Sequence, residues 1–80
     1  MDIDLARNVV RGAFRSAREL QGLLPALKDG CQAEEYERYL KGIARAIAEI
    51  SFEVTNKVIA EHPELVAEID AGIAQHGEYR

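Results

Sequence analysis

Apolar residues recur at alternating intervals of three and four positions along the first part of the chain. The residues on this spacing are Ala6, Val10, Ala13, Ala17, Leu20, Leu24 and Leu27. An α-helix places such positions along one side, so the pattern predicts a helix that packs lengthwise against another helix. Pro25 lacks a backbone N–H group and should end or kink this helix near Leu24. We therefore expect helix 1 over about 3–24.

The same spacing returns after a turn at Asp29 and Gly30. Its members are Tyr36, Leu40, Ile43, Ile47, Ile50, Val54 and Val58. They predict helix 2 over about 33–61, with a short turn or helix over about 25–29 between the two helices. Two helices with facing apolar sides and a short connection form an antiparallel hairpin.

A second apolar strip lies on nearly the opposite side of helix 2, in its C-terminal half only. Its members are Ala48, Phe52, Thr55 and Ile59, flanked by Ala44. The segment over about 63–76, which starts at a proline and stops at Gly77, predicts a shorter helix 3. We expect helix 3 to fold back over this strip; in the alternative, a second copy of the chain covers it. The predicted fold is an all-α three-helix bundle in one domain, residues 1–80, which could dimerise into a larger bundle.

The composition narrows the class of protein. The chain has 80 residues, of which 48% are hydrophobic and 30% charged, with a net charge of −4. This balance is typical of a folded domain, and the acidic excess disfavours generic binding to nucleic acid or anionic membranes. The single cysteine, Cys31, rules out an internal disulfide. Without a signal peptide or a long apolar run, the chain is expected to be cytoplasmic and not membrane-bound.

Helix 1 carries four arginines on one side. They are Arg7, Arg11, Arg15 and Arg18. At about 100° per residue they lie away from the Ala13 side, so we expect them to point into solvent. Arginine binds carboxylates and phosphates well, which makes this arginine face a candidate docking site for a partner. The alternative is an ordinary solvated face.

No arrangement of residues predicts catalysis. Glu49 and Glu53 lie one turn apart, but neither histidine follows a glutamate by three residues, as a di-iron helical site requires. Cys31 sits in the interhelical turn near the start of helix 2, where a thiol can be activated, yet its neighbours are acidic or neutral. We therefore predict no catalytic residues, no metal site, no cofactor and no enzyme activity.

Three functional hypotheses follow. The first is a small non-catalytic protein-interaction module, such as an adaptor, an immunity-type inhibitor or a regulatory subunit, which forms a homodimer through Ala48, Phe52 and Ile59. The alternative is a nucleic-acid-associated regulator that uses the arginine face, which the net charge makes unlikely. The third, least supported, is a ligand carrier or enzyme with a pocket lined by Tyr36, Tyr39 or Phe52.

Overall fold

The computed structural model describes all 80 residues and confirms an all-α fold without strands. The helices are α1 (Ile3–Gln21), α2 (Leu24–Gly30), α3 (Ala33–Ile50), α4 (Asn56–Glu61) and α5 (Leu65–His76). A π-helical turn, Ser51–Thr55, joins α3 to α4 without a break. These three pieces form one rod, residues 33–61, which we call the long helix.

Local chemistry explains where the helices start and stop. The Asp2 carboxylate accepts a hydrogen bond from the Leu5 N–H at 2.8 Å and caps α1. α1 ends at Gln21, three residues before the predicted end at 24, because Pro25 occupies the first turn of a separate helix α2. Gly77 closes α5 in the left-handed conformation, with φ 75°, which favours glycine.

The π-helical turn changes which residues of the long helix face α1. The spacing predicted Val54 on the buried side, but Val54 is 36% exposed and Thr55 is buried. In this turn the Asn56 N–H bonds to the Ser51 carbonyl, five residues back. The extra residue per turn reduces the rotation per residue, so the buried side passes from Ile50 to Thr55.

α5 covers only part of the predicted strip and packs mainly against α1 and α4. Its buried residues Leu65 and Ile69 join one cluster with Ala6 and Val10 of α1 and Val58 of α4. The expectation that helix 3 covers the second strip therefore fails at Ala48 and Phe52, which stay exposed, while Thr55 is buried and Ile59 packs against the cluster that contains Leu65 and Ile69. α5 begins at 65 rather than 63. The groove between α1 and α4 has apolar side chains on both sides. It therefore buries more of the apolar face of α5 than one strip on the long helix would.

Burial is confined to one end of the molecule. The eight buried residues all lie in positions 6–13 or 55–79, and none lies in the half of the hairpin near α2. The Cα atoms span 45 × 25 × 15 Å, which describes an elongated, thin body. No helix is long and apolar enough to cross a membrane. At the α2 end of the hairpin, α2 packs against α3, and no residue is fully buried.

Candidate interaction surfaces

The arginine face of α1 is the surface on which α5 docks. The Arg7 Nε lies 3.0 Å from both carboxylate oxygens of Glu68, and Arg7 Nη1 lies 2.9 Å from Asp4. The hydrogen bond to Glu68 raises the pKa of Arg7. Arg18 forms an ion pair with Glu78, beyond the end of α5. These carboxylates neutralise the face from within the chain.

Tyr79 completes this contact. Its ring is buried and meets the Phe14 ring edge-on, with 6.1 Å between centroids and an angle of 87°. The guanidinium carbon of Arg11 lies 5.2 Å from the Tyr79 centroid, within range of a cation–π interaction. The Tyr79 hydroxyl donates to Glu68 at 3.2 Å, and burial raises the pKa of Tyr79.

The expectation that the arginine face points into solvent is therefore wrong for Arg7 and Arg11, which are partly buried, whereas Arg15 and Arg18 are exposed. Of the two exposed arginines, Arg18 pairs with Glu78 and Arg15 makes no ion pair. Sequence reasoning missed Glu68, Glu78 and Tyr79, which lie about 60 residues from their partners. The sequence contains one local indication, the aromatic residue Tyr79 just after Gly77, which ends α5. Whether Arg7, Arg11, Arg15 and Arg18 bind an outside partner stays a prediction.

A small polar network closes the corner between α4 and α5. The Nε2 atom of His62 lies 2.8 Å from the Met1 carbonyl oxygen, and its Nδ1 atom lies 3.2 Å from the Glu64 carboxylate. Both ring nitrogens face acceptors, an arrangement that only the protonated imidazolium satisfies as a double donor. The Met1 carbonyl, and then Glu64, raise the pKa of His62. The Met1 ammonium also pairs with Glu61 at 2.6 Å.

Two open grooves lie at opposite places on the surface. One, about 270 Å³, lies at the end of α5 between Phe14, Ile73 and Tyr79. The other, about 420 Å³, lies beside Cys31 and Tyr36 near α2. Tyr39 and Phe52 line neither groove, so the three aromatic residues suggested for a pocket do not share one.

Few groups on the surface are arranged for chemistry. Hydrogen bonding to Glu35 and burial raise the pKa of the Cys31 thiol, which disfavours the reactive thiolate. No three His, Cys, Asp or Glu side chains lie close enough together to hold a metal ion. Glu53 pairs with Lys57 at 2.6 Å rather than with Glu49.

Comparison with protein-family models, curated proteins and solved structures finds no match.

The three residues predicted for self-association have different environments. Phe52 is 67% exposed, the largest exposed fraction among the large apolar side chains. Ala48 is also exposed, whereas Ile59 packs against the core cluster. The strip is therefore free at Ala48 and Phe52 and partly used by the fold at Ile59. Its role in self-association stays a prediction.

Other apolar residues are uncovered over a wider area. Leu5, Leu23 and Tyr39 are each about half exposed. The apolar residues of α1, α2 and α3 on the predicted hairpin seam are only partly buried toward the α2 end: Leu20, Leu24, Leu27, Ile43, Ile47 and Ile50. Large apolar side chains this exposed on both helices of a hairpin are typical of a protein–protein interface.

Proposed function

We propose that this chain is a non-catalytic protein-interaction module that works as a homodimer, with the hairpins of two copies completing a larger helical bundle. Adaptor, immunity-type and regulatory roles all depend on such a surface. We place the protein in the cytoplasm, where the lone thiol Cys31 would stay reduced.

The proposal rests on the accessible surface area of the monomer, which is larger than that expected for a compact protein of the same mass. Its accessible area is 5656 Å². A compact monomer of 8.9 kDa is expected to expose about 4,800 Å². The difference, roughly 850 Å², is close to the ~800 Å² that each partner buries in a stable protein–protein interface of standard size.

The shape supports the same conclusion. The radius of gyration is 14.8 Å. A compact domain of this length is expected to have about 12 Å. Since eight of the 80 residues are buried, one copy builds a core at the α5 end only. A second copy would supply the missing layer over the rest of the hairpin, as in four-helix bundles.

Apolar burial supplies the driving force. Removing apolar surface from water stabilises an assembly by about 25 cal/mol per Å². The half-exposed residues of the hairpin would contribute most of that area. Because the contact is apolar, its strength should depend little on salt, unlike a contact between charged surfaces.

The test is the solution mass by light scattering on a sizing column, over a range of protein concentrations and at low and moderate salt. We expect twice the chain mass of 8.9 kDa at both salt concentrations. A mass of one chain at every concentration would refute the proposal. A dimer that dissociates at moderate salt would show that charges hold it, and the apolar surface would then be the wrong site.

The nucleic-acid alternative gains no support from the geometry. Three of the four arginines already contact α5 or its C-terminal extension. A net charge of −4 opposes binding to a polyanion.

A further inference from the structure

We infer that His62 is a pH-sensitive latch: when protonated, its ring holds Met1 against the corner between α4 and α5, and loss of the proton breaks one of the two contacts of the ring. All the groups involved lie within one copy of the chain. The inference is therefore independent of the proposed self-association.

The latch joins segments that are distant in the sequence. His62 ends α4, and its side chain is only 16% exposed. Its Nε2 atom contacts the carbonyl oxygen of Met1, which lies 61 positions away, just before α1. Its Nδ1 atom contacts Glu64, which lies directly before α5. Pro63 follows His62 and restricts its backbone, so the ring is held in place between the two acceptors.

Both contacts need the protonated ring. The imidazolium carries two N–H groups, whereas the neutral ring has one N–H donor and one nitrogen lone pair. Neither the Met1 carbonyl nor an ionised Glu64 carboxylate can donate a hydrogen bond. When the proton leaves, a nitrogen lone pair therefore faces an oxygen atom at one of the two contacts, and that contact is lost.

The charges around the ring favour its protonated form. The Glu61 carboxylate lies 4.0 Å from the Nε2 atom of His62 and 2.6 Å from the Met1 ammonium group. Because Glu61 balances the ammonium charge, the Glu64 carboxylate is left to balance the charge of the imidazolium. One proton on the ring thus completes two oppositely charged pairs at this corner.

The charged groups of α1 and α5 near this corner have partners of their own. From α1, the Arg7 guanidinium acts electrostatically on Glu64. Its hydrogen bonds, however, go to Asp4 and to Glu68 of α5. Arg7 therefore does not replace His62 as the partner of Glu64.

The latch responds to pH in the range where histidine titrates. The Met1 carbonyl and Glu64 raise the pKa of His62 from its ordinary value of about 6.5, so the change occurs closer to neutral pH. Both contacts are present below this pKa. One of them is lost as the pH rises through it.

The segment that the latch holds covers one end of the core. The Asp2 carboxylate caps α1, and the Ile3 side chain packs against the core cluster. Ala6 and Leu65, which follow on α1 and α5, are fully buried. Loosening of Met1 would therefore affect the cap of α1 and the cover of the core where α5 begins.

The test is a pH titration of the full chain, labelled with nitrogen-15, by nuclear magnetic resonance. The ring nitrogen signals show when His62 loses its proton, and the relaxation of the Asp2 amide shows whether this segment is held. We expect the order parameter of the Asp2 amide to fall from about 0.85 to below about 0.6, with the same midpoint as the His62 ring. A constant order parameter would overturn the inference, and so would a midpoint that follows the Met1 ammonium group instead.

Glu64→Gln separates a latch from a purely structural contact. A glutamine amide can donate to the neutral Nδ1 atom while Nε2–H donates to Met1, so both contacts survive without the ring proton. In this variant we expect the Asp2 order parameter to stay near 0.85 at every pH. Glu34→Gln, which removes an exposed carboxylate from the first turn of α3, is the matched control and should behave like the native chain. If the Asp2 amide of Glu64→Gln loosens with pH as in the native chain, His62 is not the latch.

Discussion

Replacing Tyr79 with alanine should remove the contact that holds the end of the chain against α1. The side chain is 7% exposed and touches Phe14, Arg11 and Glu68. Truncating a buried aromatic residue to alanine costs about 3–5 kcal/mol in a well-packed core. Tyr79 lies at the rim of the core, where the site can partly close, so we expect a loss of about 3 kcal/mol. The edge-on ring contact and the cation–π interaction supply about 1–2 kcal/mol of that figure.

This loss would be a large part of the total stability. A domain of 80 residues has an unfolding free energy of about 4–12 kcal/mol. For a domain of this size each kilocalorie shifts the melting temperature by about 4–8 °C, so Tyr79→Ala should melt about 12–24 °C lower. Thermal and urea unfolding followed by circular dichroism would measure both quantities. The protein concentration must be kept fixed because any self-association would couple to stability.

Two further variants make the measurement specific. Tyr79→Phe removes only the hydroxyl that donates to Glu68, at 3.2 Å, and should cost about 1 kcal/mol. Arg80→Ala changes the next residue, which is exposed, and should change stability by less than about 0.5 kcal/mol. The reasoning is refuted if Tyr79→Ala unfolds within about 2 °C of Arg80→Ala, since the end of the chain would then contribute no packing.

Three more predictions concern single residues elsewhere. Leu65→Ala truncates a fully buried side chain and should lower the free energy of unfolding in urea by about 2–5 kcal/mol. Val66→Ala, at a position that is 43% exposed, should lower it by under about 1 kcal/mol. Equal losses would contradict the side of α5 that is buried in the structure. Thr55→Val should raise the unfolding free energy by about 1 kcal/mol, because the buried Thr55 hydroxyl has no hydrogen-bond partner and valine has the same shape. A lower melting temperature for Thr55→Val would refute this. The Met1 carbonyl and Glu64 raise the pKa of His62, so its stabilising effect is complete below its ordinary pKa of about 6.5 and is lost as pH rises through the folded-state pKa. His62→Gln should therefore show a smaller fall in unfolding free energy between about pH 6 and 9 than the native chain, and parallel pH profiles would contradict it.

The positions of the helices could be predicted from the sequence because they depend on local interactions. Apolar spacing of three and four, Pro25, Asp29–Gly30 and Gly77 act within one or two turns of the backbone. The π-helical turn could not be predicted from the apolar spacing. The apolar spacing continues from Ile50 to Val54 and puts Thr55 on the opposite strip, whereas the π-helical turn brings Thr55 to the buried side.

The ion pairs of the arginine face could not be predicted from the sequence. Arg7 and Glu68 lie 61 positions apart, and nothing in the local pattern couples them. A short amphipathic helix can dock on either side of a hairpin. The choice depends on the free energy summed over contacts between distant segments, which the spacing of one segment does not contain.

The sequence by itself determined the all-α class and the approximate helix boundaries, because backbone hydrogen bonding and side-chain periodicity are local. Only the tertiary structure decided which surface remains exposed. It placed α5 on the arginine side of α1, and through the π-helical turn it buried Thr55 in place of Val54. That outcome depends on side chains from three helices competing for one groove, which is a property of the packed chain and not of any segment within it.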